Sequence, residues 1–207
     1  MLKRTTKKFV ENYLSQKKDW KILDIGCGYT ANKYSNHVAD TQDFSDLYKG
    51  KKFTLIKDKK LPFADKEFNF VIASHVLEHV EDVDFFIKEL ERVASGRYIE
   101  VPTRLEDNLV DVNEKAHIWW INFDDINNSL FITKRKQIVE PFLSVSIAQN
   151  LRKFFRDSLV TEVFWESKID YLISDNNNKF EFYKKLSFLE IIKKFFSKKI
   201  RRLFKLI

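Results

Sequence analysis

The stretch Lys21-Ile22-Leu23-Asp24-Ile25-Gly26-Cys27-Gly28 is a short apolar run that stops at two glycines. With the preceding Trp20 it reads as a buried parallel strand feeding a tight turn. Neither glycine carries a Cβ, so backbone N–H groups there can approach a ligand closely, although a bare Gly-x-Gly also occurs in turns without function. In an open α/β sheet such a turn lies at the carboxyl edge, where ligands bind. Asp24 at the strand end repels a pyrophosphate but suits a ligand's ammonium group. Dinucleotide binding fits poorly: Thr30 stands at the third glycine position, and only 12 residues separate Gly28 from Asp40, against about 20 between fingerprint and acid in dinucleotide folds. The spacing also requires the first crossover helix to be short or irregular.

Working outward, residues 5–15 read as a helix. His37–Ala39 and Phe53–Ile56 read as short strands, and the apolar Phe68–Ala73 as the central strand of a sheet. Asp82 is a suitable N-cap for a helix through Val93, with Gly96 ending it. Tyr98–Val101 forms a fifth strand, closed by Pro102. Ile118–Phe123 and Leu130–Thr133 suggest an antiparallel hairpin joined through residues 124–129. Val145–Leu159 follows as a helix, and residues 160–173 are rich in β-formers. The order predicts an α/β domain over residues 1–183, a mostly parallel sheet with an antiparallel edge.

Five pieces recur in register: Leu23-Asp24-Ile25-Gly26-Cys27-Gly28; Asp40; Asp58 with Leu61-Pro62-Phe63; residues 68–80, ending Ser74-His75-Val76-Leu77-Glu78-His79-Val80; and Tyr98-Ile99-Glu100-Val101-Pro102. Over residues 20–103 the chain thereby resembles the class I S-adenosylmethionine-dependent methyltransferases, most closely their type 11 group. The resemblance implies a Rossmann-like fold and S-adenosyl-L-methionine as cofactor. It places Asp24, Gly26, Cys27 and Gly28 around the methionine moiety, the glycine amides near its carboxylate and Asp24 near its ammonium. Asp40 would take the ribose hydroxyls, with Asp43 as its alternative. Asp58 would receive the adenine amino group, with Leu61 and Phe63 on the ring. Ser74 and His75 would border the sulfonium. If the acceptor is a hydroxyl, His75, His79 and Glu100 are the candidate bases, and Glu100 has the alternative of a structural carboxylate.

A second pattern overlaps the fourth piece. His75-Val76-Leu77-Glu78-His79 matches the His-x-x-Glu-His of inverted zinc peptidases letter for letter, with Glu140, Glu162 or Glu166 as a third ligand. The apolar strand directly before it fits the methyltransferase better than a metalloprotease helix, so the expectation is no metal. His117-Ile118-Trp119-Trp120 is an aromatic cluster from which we expect one tryptophan in the core and one in an acceptor pocket.

The net charge of +7 over 207 residues is unevenly placed. Residues 184–207 hold nine Lys/Arg against one Glu, leaving 28 basic and 29 acidic residues in 1–183. The body is neutral and the tail is basic. The tail reads as an amphipathic helix, Phe188, Ile191, Ile192, Phe195, Ile200, Leu203 and Phe204 on one side and lysines and arginines on the rest. Such a helix suits an anionic bilayer surface; docking on the body and contact with nucleic acid are the other two uses. One cysteine excludes an intramolecular disulfide, and neither a secretory signal nor about 18 consecutive apolar residues is present, which predicts a cytoplasmic protein, peripheral on the inner face of a membrane if the tail binds lipid. The expected activity is methyl transfer to an oxygen or nitrogen of a small-molecule or glycan acceptor. An RNA-directed methyltransferase, a zinc hydrolase and a non-catalytic cofactor-fold binding protein are the rivals.

Overall fold

The computed structural model describes residues 2–174 and 187–203. The chain opens with β1 (Leu2–Arg4) and α1 (Lys7–Ser15). It continues through β2 (Ile22–Ile25), β3 (His37–Asp40), β4 (Lys52–Leu55), β5 (Phe68–Ser74), α2 (Val83–Val93) and β6 (Ala94–Pro102). Short helices α3 (Arg104–Leu109) and α4 (Asn113–Ala116) lead to the hairpin β7 (Trp119–Asp124) and β8 (Ser129–Lys134). Then come α5 (Val145–Leu159), β9 (Val160–Glu166), β10 (Tyr171–Ser174) and α6 (Phe188–Leu203).

The main sheet runs β4-β3-β2-β5-β6-β9-β1. Its first five strands are parallel; β9 is antiparallel to β6, and β1 antiparallel to β9. From β2 the chain builds outward to β3 and β4, then returns to the other side of β2 with β5. The crevice between the carboxyl ends of β2 and β5 is therefore a topological switch point. β5 is central, as its apolar run predicts.

Strand alternation divides the core into two layers. Leu23, Ile25, Val71, Ala73 and Ile99 face α2 and the second sheet, while Ile22, Phe70, Ile72 and Tyr98 face Val10 and Leu14 of α1. Asp24 and Glu100 share parity with this second set, so both point to the α1 side of the sheet.

Three expectations change. The antiparallel edge is built by β9 and β1; the predicted hairpin belongs to a separate sheet, ordered β10-β8-β7, because Trp119, Ile121, Leu130 and Ile132 bury in the α2-side core. Gly96 does not end α2: β6 starts at Ala94, and Gly96 lies inside it, where a Cβ would come 2.7 Å from Phe70 Cδ2. The crossovers from β2 to β3 and from β3 to β4 contain no α-helix, only a 3-10 turn at Ser45–Tyr48. That last result is what the short Gly28-to-Asp40 spacing requires.

Of the predicted tail helix, residues 184–186 and 204–207 lie outside the described residues. Helix α6 meets the body at its first turn: the Phe188 N–H donates to Glu140 Oε2 at 2.8 Å, and its ring stacks on Phe142 at 6.0 Å. Its described side chains are not buried; Leu189 is 77% exposed and Phe195 56%.

Candidate active site

A cavity of about 650 Å³ opens at the switch point, along the carboxyl ends of β2 to β5, a size usual for a small-molecule site. Gly26, Asp40, Asp58, Leu61, His75 and His79 line it. Gly26 sits at φ +68°, and a Cβ there would lie 2.5 Å from Val76 Cγ2. Glycine is thus what lets the loops after β2 and β5 meet. Asp40 accepts hydrogen bonds from the Gly28 N–H at 2.9 Å and the Gln42 N–H at 3.0 Å, so its carboxylate is fixed at the cavity wall. Asp43 is exposed, accepts from the Ser45 N–H and does not line the cavity. Asp58 stands exposed at the rim, and buried Leu61 lines it with its N–H held by Glu89.

Other members of the predicted set are elsewhere. The Gly26 and Cys27 amides donate to the Ala39 carbonyl, and that of Gly28 to Asp40, so strand β3 takes the donors expected to face a carboxylate. Cys27 is buried, its thiol pushed up to about 11 by burial and by the nearby Asp40 and Asp24. Asp24 accepts from the Asn32 N–H at 2.6 Å and holds the helix-free crossover in place; it does not line the cavity. Burial raises its carboxyl to about 6, against the lowering effect of the Asn32 N–H and Lys51. Phe63 packs on His37 and Phe68 in the core, with centroids 5.3 and 5.0 Å away, because the chain turns inward after Leu61. Tyr48, unforeseen in the sequence, donates to the Gly28 carbonyl and accepts from the Ala31 N–H, closing the glycine turn.

On the α1 side of the sheet lies a second cleft of about 660 Å³, where Ser74, His75 and Glu100 meet Lys7, Lys8, Arg152, Lys153 and Arg156. His75 therefore lines both cavities. It holds the left-handed backbone (φ +56°), a conformation uncommon outside glycine. Its Nδ1 lies 3.1 Å from Glu78 Oε1, and its Nε2 3.3 Å from Glu100 Oε1 and 3.1 Å from Arg152 Nη1. Burial opposes ring protonation, but the two carboxylates outweigh it and raise the ring to about 9.

Glu100 is engaged in ion pairs with His75 and Arg156. Burial alone would raise its carboxyl, yet His75 and Arg156 hold it down at about 2. The Tyr98 hydroxyl lies between the Glu100 carboxylate and that of Glu162, 3.0 and 2.6 Å away, and has one proton to offer the two. The structural alternative for Glu100 is the one the geometry supports.

The rival His-x-x-Glu-His zinc arrangement on a helix is not formed. Residues 75–80 form a turn rather than a helix, so His75 and His79 share no face. His79 lies against His117, with ring centroids 4.5 Å apart. Glu140 accepts from the Phe188 N–H, Glu162 pairs with Arg156, and none of the three proposed acids joins the histidines. Both tryptophans of the aromatic cluster are core: Trp119 Nε1–H donates to the Val80 carbonyl and Trp120 Nε1–H to Asp107.

The cationic cleft went unread in the sequence. Its signal was present in Arg152, Lys153 and Arg156, which fall on one side of a predicted helix at spacings of one and four residues.

Residues 23–97 match a family model described as a methyltransferase domain. Over that segment the chain is similar to the class I S-adenosylmethionine-dependent methyltransferases. S-adenosyl-L-methionine is the cofactor of that family. Similar solved structures include a Pyrococcus horikoshii protein at 18% identity, covering 78% of this chain and 89% of the other, with a TM-score of 0.46. A SAM-dependent methyltransferase from Aquifex aeolicus is 14% identical over 76% and 87%, TM-score 0.41. The YcgJ protein of Bacillus subtilis is 16% identical over 47% and 52%, TM-score 0.39, so the chain spans about half the length of that relative. No curated protein matches the chain.

The switch-point cavity fits that family's cofactor in part. A fixed carboxylate, Asp40, and an apolar wall with an acid at its rim, Leu61 and Asp58, line it, the residues for which the sequence resemblance implies contact with ribose and adenine. The methionine end is different, since the turn amides are engaged within the fold.

Proposed function

We propose that the protein transfers a methyl group to an oxygen or nitrogen of an acceptor that carries an anionic group, such as a phosphate-bearing sugar or a lipid-linked saccharide. One observation carries this: His75 is shared between the switch-point cavity and a cleft lined by five lysine and arginine residues. Two compartments meeting at one side chain suit a two-substrate transfer, and the cationic one suits an anion.

Bound in the first compartment, S-adenosyl-L-methionine supplies an electrophilic methyl group on a sulfonium. Asp40, Asp58 and Leu61 would hold its nucleoside end. Both ring nitrogens of His75 are occupied by carboxylates and Arg152, so the ring serves as a fixed wall between the compartments. Lys7, Lys8, Arg152 and Lys153 would anchor the acceptor's anion. Orientation is the main contribution these residues make to rate.

Calorimetry with S-adenosylhomocysteine is the first test; no binding by folded protein would sink the proposal. Methyl transfer from labelled cofactor should then favour sugar phosphates over neutral sugars, and Arg152→Gln with Lys153→Gln should remove that preference while S-adenosylhomocysteine affinity stays.

We further propose that residues 184–207 bring the enzyme to an anionic membrane surface. The exposed apolar side chains of α6 support this use over docking on the body. No helix among the described residues is long and apolar enough to cross a membrane.

A further inference from the structure

Glu78, His79 and His117 each offer a ligand atom within 4.8 Å of the other two. The backbone sets this meeting: the N–H groups of Ile118 and Trp119 both donate to the Glu78 carbonyl, at 2.7 and 3.3 Å, which draws His117 alongside the turn after β5. Each imidazole is oriented from behind. His79 Nδ1 is 3.0 Å from the Ala116 carbonyl, and His117 Nδ1 is bonded to Asp107 Oδ1. A ring nitrogen facing a carbonyl or carboxylate is the donor, which leaves Nε2 as a lone pair for a ligand. Asp107 is itself held, its other oxygen accepting from Trp120 Nε1 at 2.7 Å and paired in charge with the Arg135 guanidinium.

The third member supplies the independent observation. The Glu78 side chain is 1% exposed; Oε1 meets His75 Nδ1, while Oε2 is buried with no hydrogen-bond partner. A buried carboxylate oxygen without a partner is costly, and a cation is the partner that removes the cost. We infer that Glu78, His79 and His117 form a site for a borderline first-row divalent cation. Two imidazoles and one carboxylate suit Zn²⁺, Co²⁺, Mn²⁺ or Fe²⁺ rather than the all-oxygen shells of Mg²⁺ or Ca²⁺. Three protein ligands leave coordination room for water or an acceptor oxygen.

His79 also lines the switch-point cavity, so the cation would stand at the edge of that compartment. If methyl transfer occurs there, as proposed above, the cation favours a hydroxyl-bearing acceptor. That step rests on the methyltransferase reading, whereas the metal site does not.

Titrating the full-length protein with Co²⁺ and recording visible absorption tests the site, with calorimetric S-adenosylhomocysteine binding as a separate readout. We expect one equivalent of Co²⁺, displaced by Zn²⁺. Glu78→Gln and His117→Gln should each weaken Co²⁺ binding at least about tenfold and leave S-adenosylhomocysteine affinity unchanged. Asp107→Asn should weaken it less than His117→Gln. Should a buried substitution unfold the chain, the exposed His79→Gln supplies the Co²⁺ readout alone, since His79 also lines the switch-point cavity. No Co²⁺ bound by folded wild type, or binding undiminished in the ligand variants, overturns the site even if S-adenosylhomocysteine binds. Stoichiometric Co²⁺ lost in these variants supports it even if S-adenosylhomocysteine does not bind.

Discussion

Asp40 both closes the glycine turn and borders the cavity, so its two tasks should separate in a variant. Asp40→Ala is expected to weaken S-adenosylhomocysteine binding by roughly tenfold or more and to cost about 1–2 kcal/mol of stability, since two backbone donors lose their acceptor; calorimetry and thermal melting measure the two effects. Gly26→Ala meets a different obstacle, a methyl group pressed into Val76 on a left-handed backbone. It should cost ~1–3 kcal/mol, and an unchanged melting temperature would show that the two loops need not meet this closely. Asp40 and Gly26 could be placed at the cavity from the sequence because each stands at or just past the end of a strand, and the carboxyl edge of a parallel sheet is where such residues gather; Leu61 lies farther on, in the loop after β4. Asp24 lies away from the cavity for a reason that sequence does not carry. One residue before the strand end, it has the parity of Ile22 and turns to the α1 side, where the nearest donor is a loop amide.

Strands β6 and β9 set Glu100 directly opposite Glu162 in their antiparallel ladder. Like charges in that relation destabilise a sheet, and here helix α5 supplies the remedy, with Arg156 Nη2 reaching both carboxylates. The Glu100 carboxyl, ordinarily near 4.5, is held at about 2. A group depressed in the folded state stabilises it above its unfolded value. That stability is lost as pH falls from about 4.5 towards 2, and amounts to roughly 3 kcal/mol. Arg156→Met should lower stability at neutral pH by about 3–5 kcal/mol, with part regained on mild acidification as the paired carboxylates take up protons. Urea melts across that pH range measure both; a variant whose stability only falls with acid would contradict the account. Elements with their own periodicity or caps, such as α2 behind Asp82, could be foreseen from the sequence. β1 could not, because Leu2-Lys3-Arg4 has no pattern of its own and becomes a strand only through its ladder with β9. The hairpin was visible, but its sheet was not: alternation tells that a strand has a buried face, and leaves open which neighbour covers it.

Across the whole molecule the charge falls into two functional populations. In the body, Lys7, Lys8, Arg152, Lys153 and Arg156 gather around one cleft although residues 1–183 are close to neutral, so proximity in the fold makes a cationic site that net charge conceals. In the tail, the excess is contiguous and rides on a helix whose apolar residues are left largely uncovered. A helix docked on the body would cover Leu189 and Phe195, whereas a helix bound to RNA alone would gain nothing from them. Lipid uses both faces, with apolar side chains below the headgroups and each lysine near an anionic surface contributing about 1 kcal/mol. Full-length protein should therefore float with phosphatidylserine-containing liposomes and not with neutral ones, and added salt should release part of it. Deleting residues 187–207 should abolish flotation while leaving S-adenosylhomocysteine affinity within about twofold, because the cavity lies wholly in β2 to α2. Flotation that survives the deletion would reject the membrane role, and binding that appears only with RNA would move the tail to nucleic acid. Replacing Lys193, Lys194 and Lys199 by glutamine separates the two faces: flotation that falls steeply there, with the apolar side chains intact, identifies charge as the larger part of the attraction.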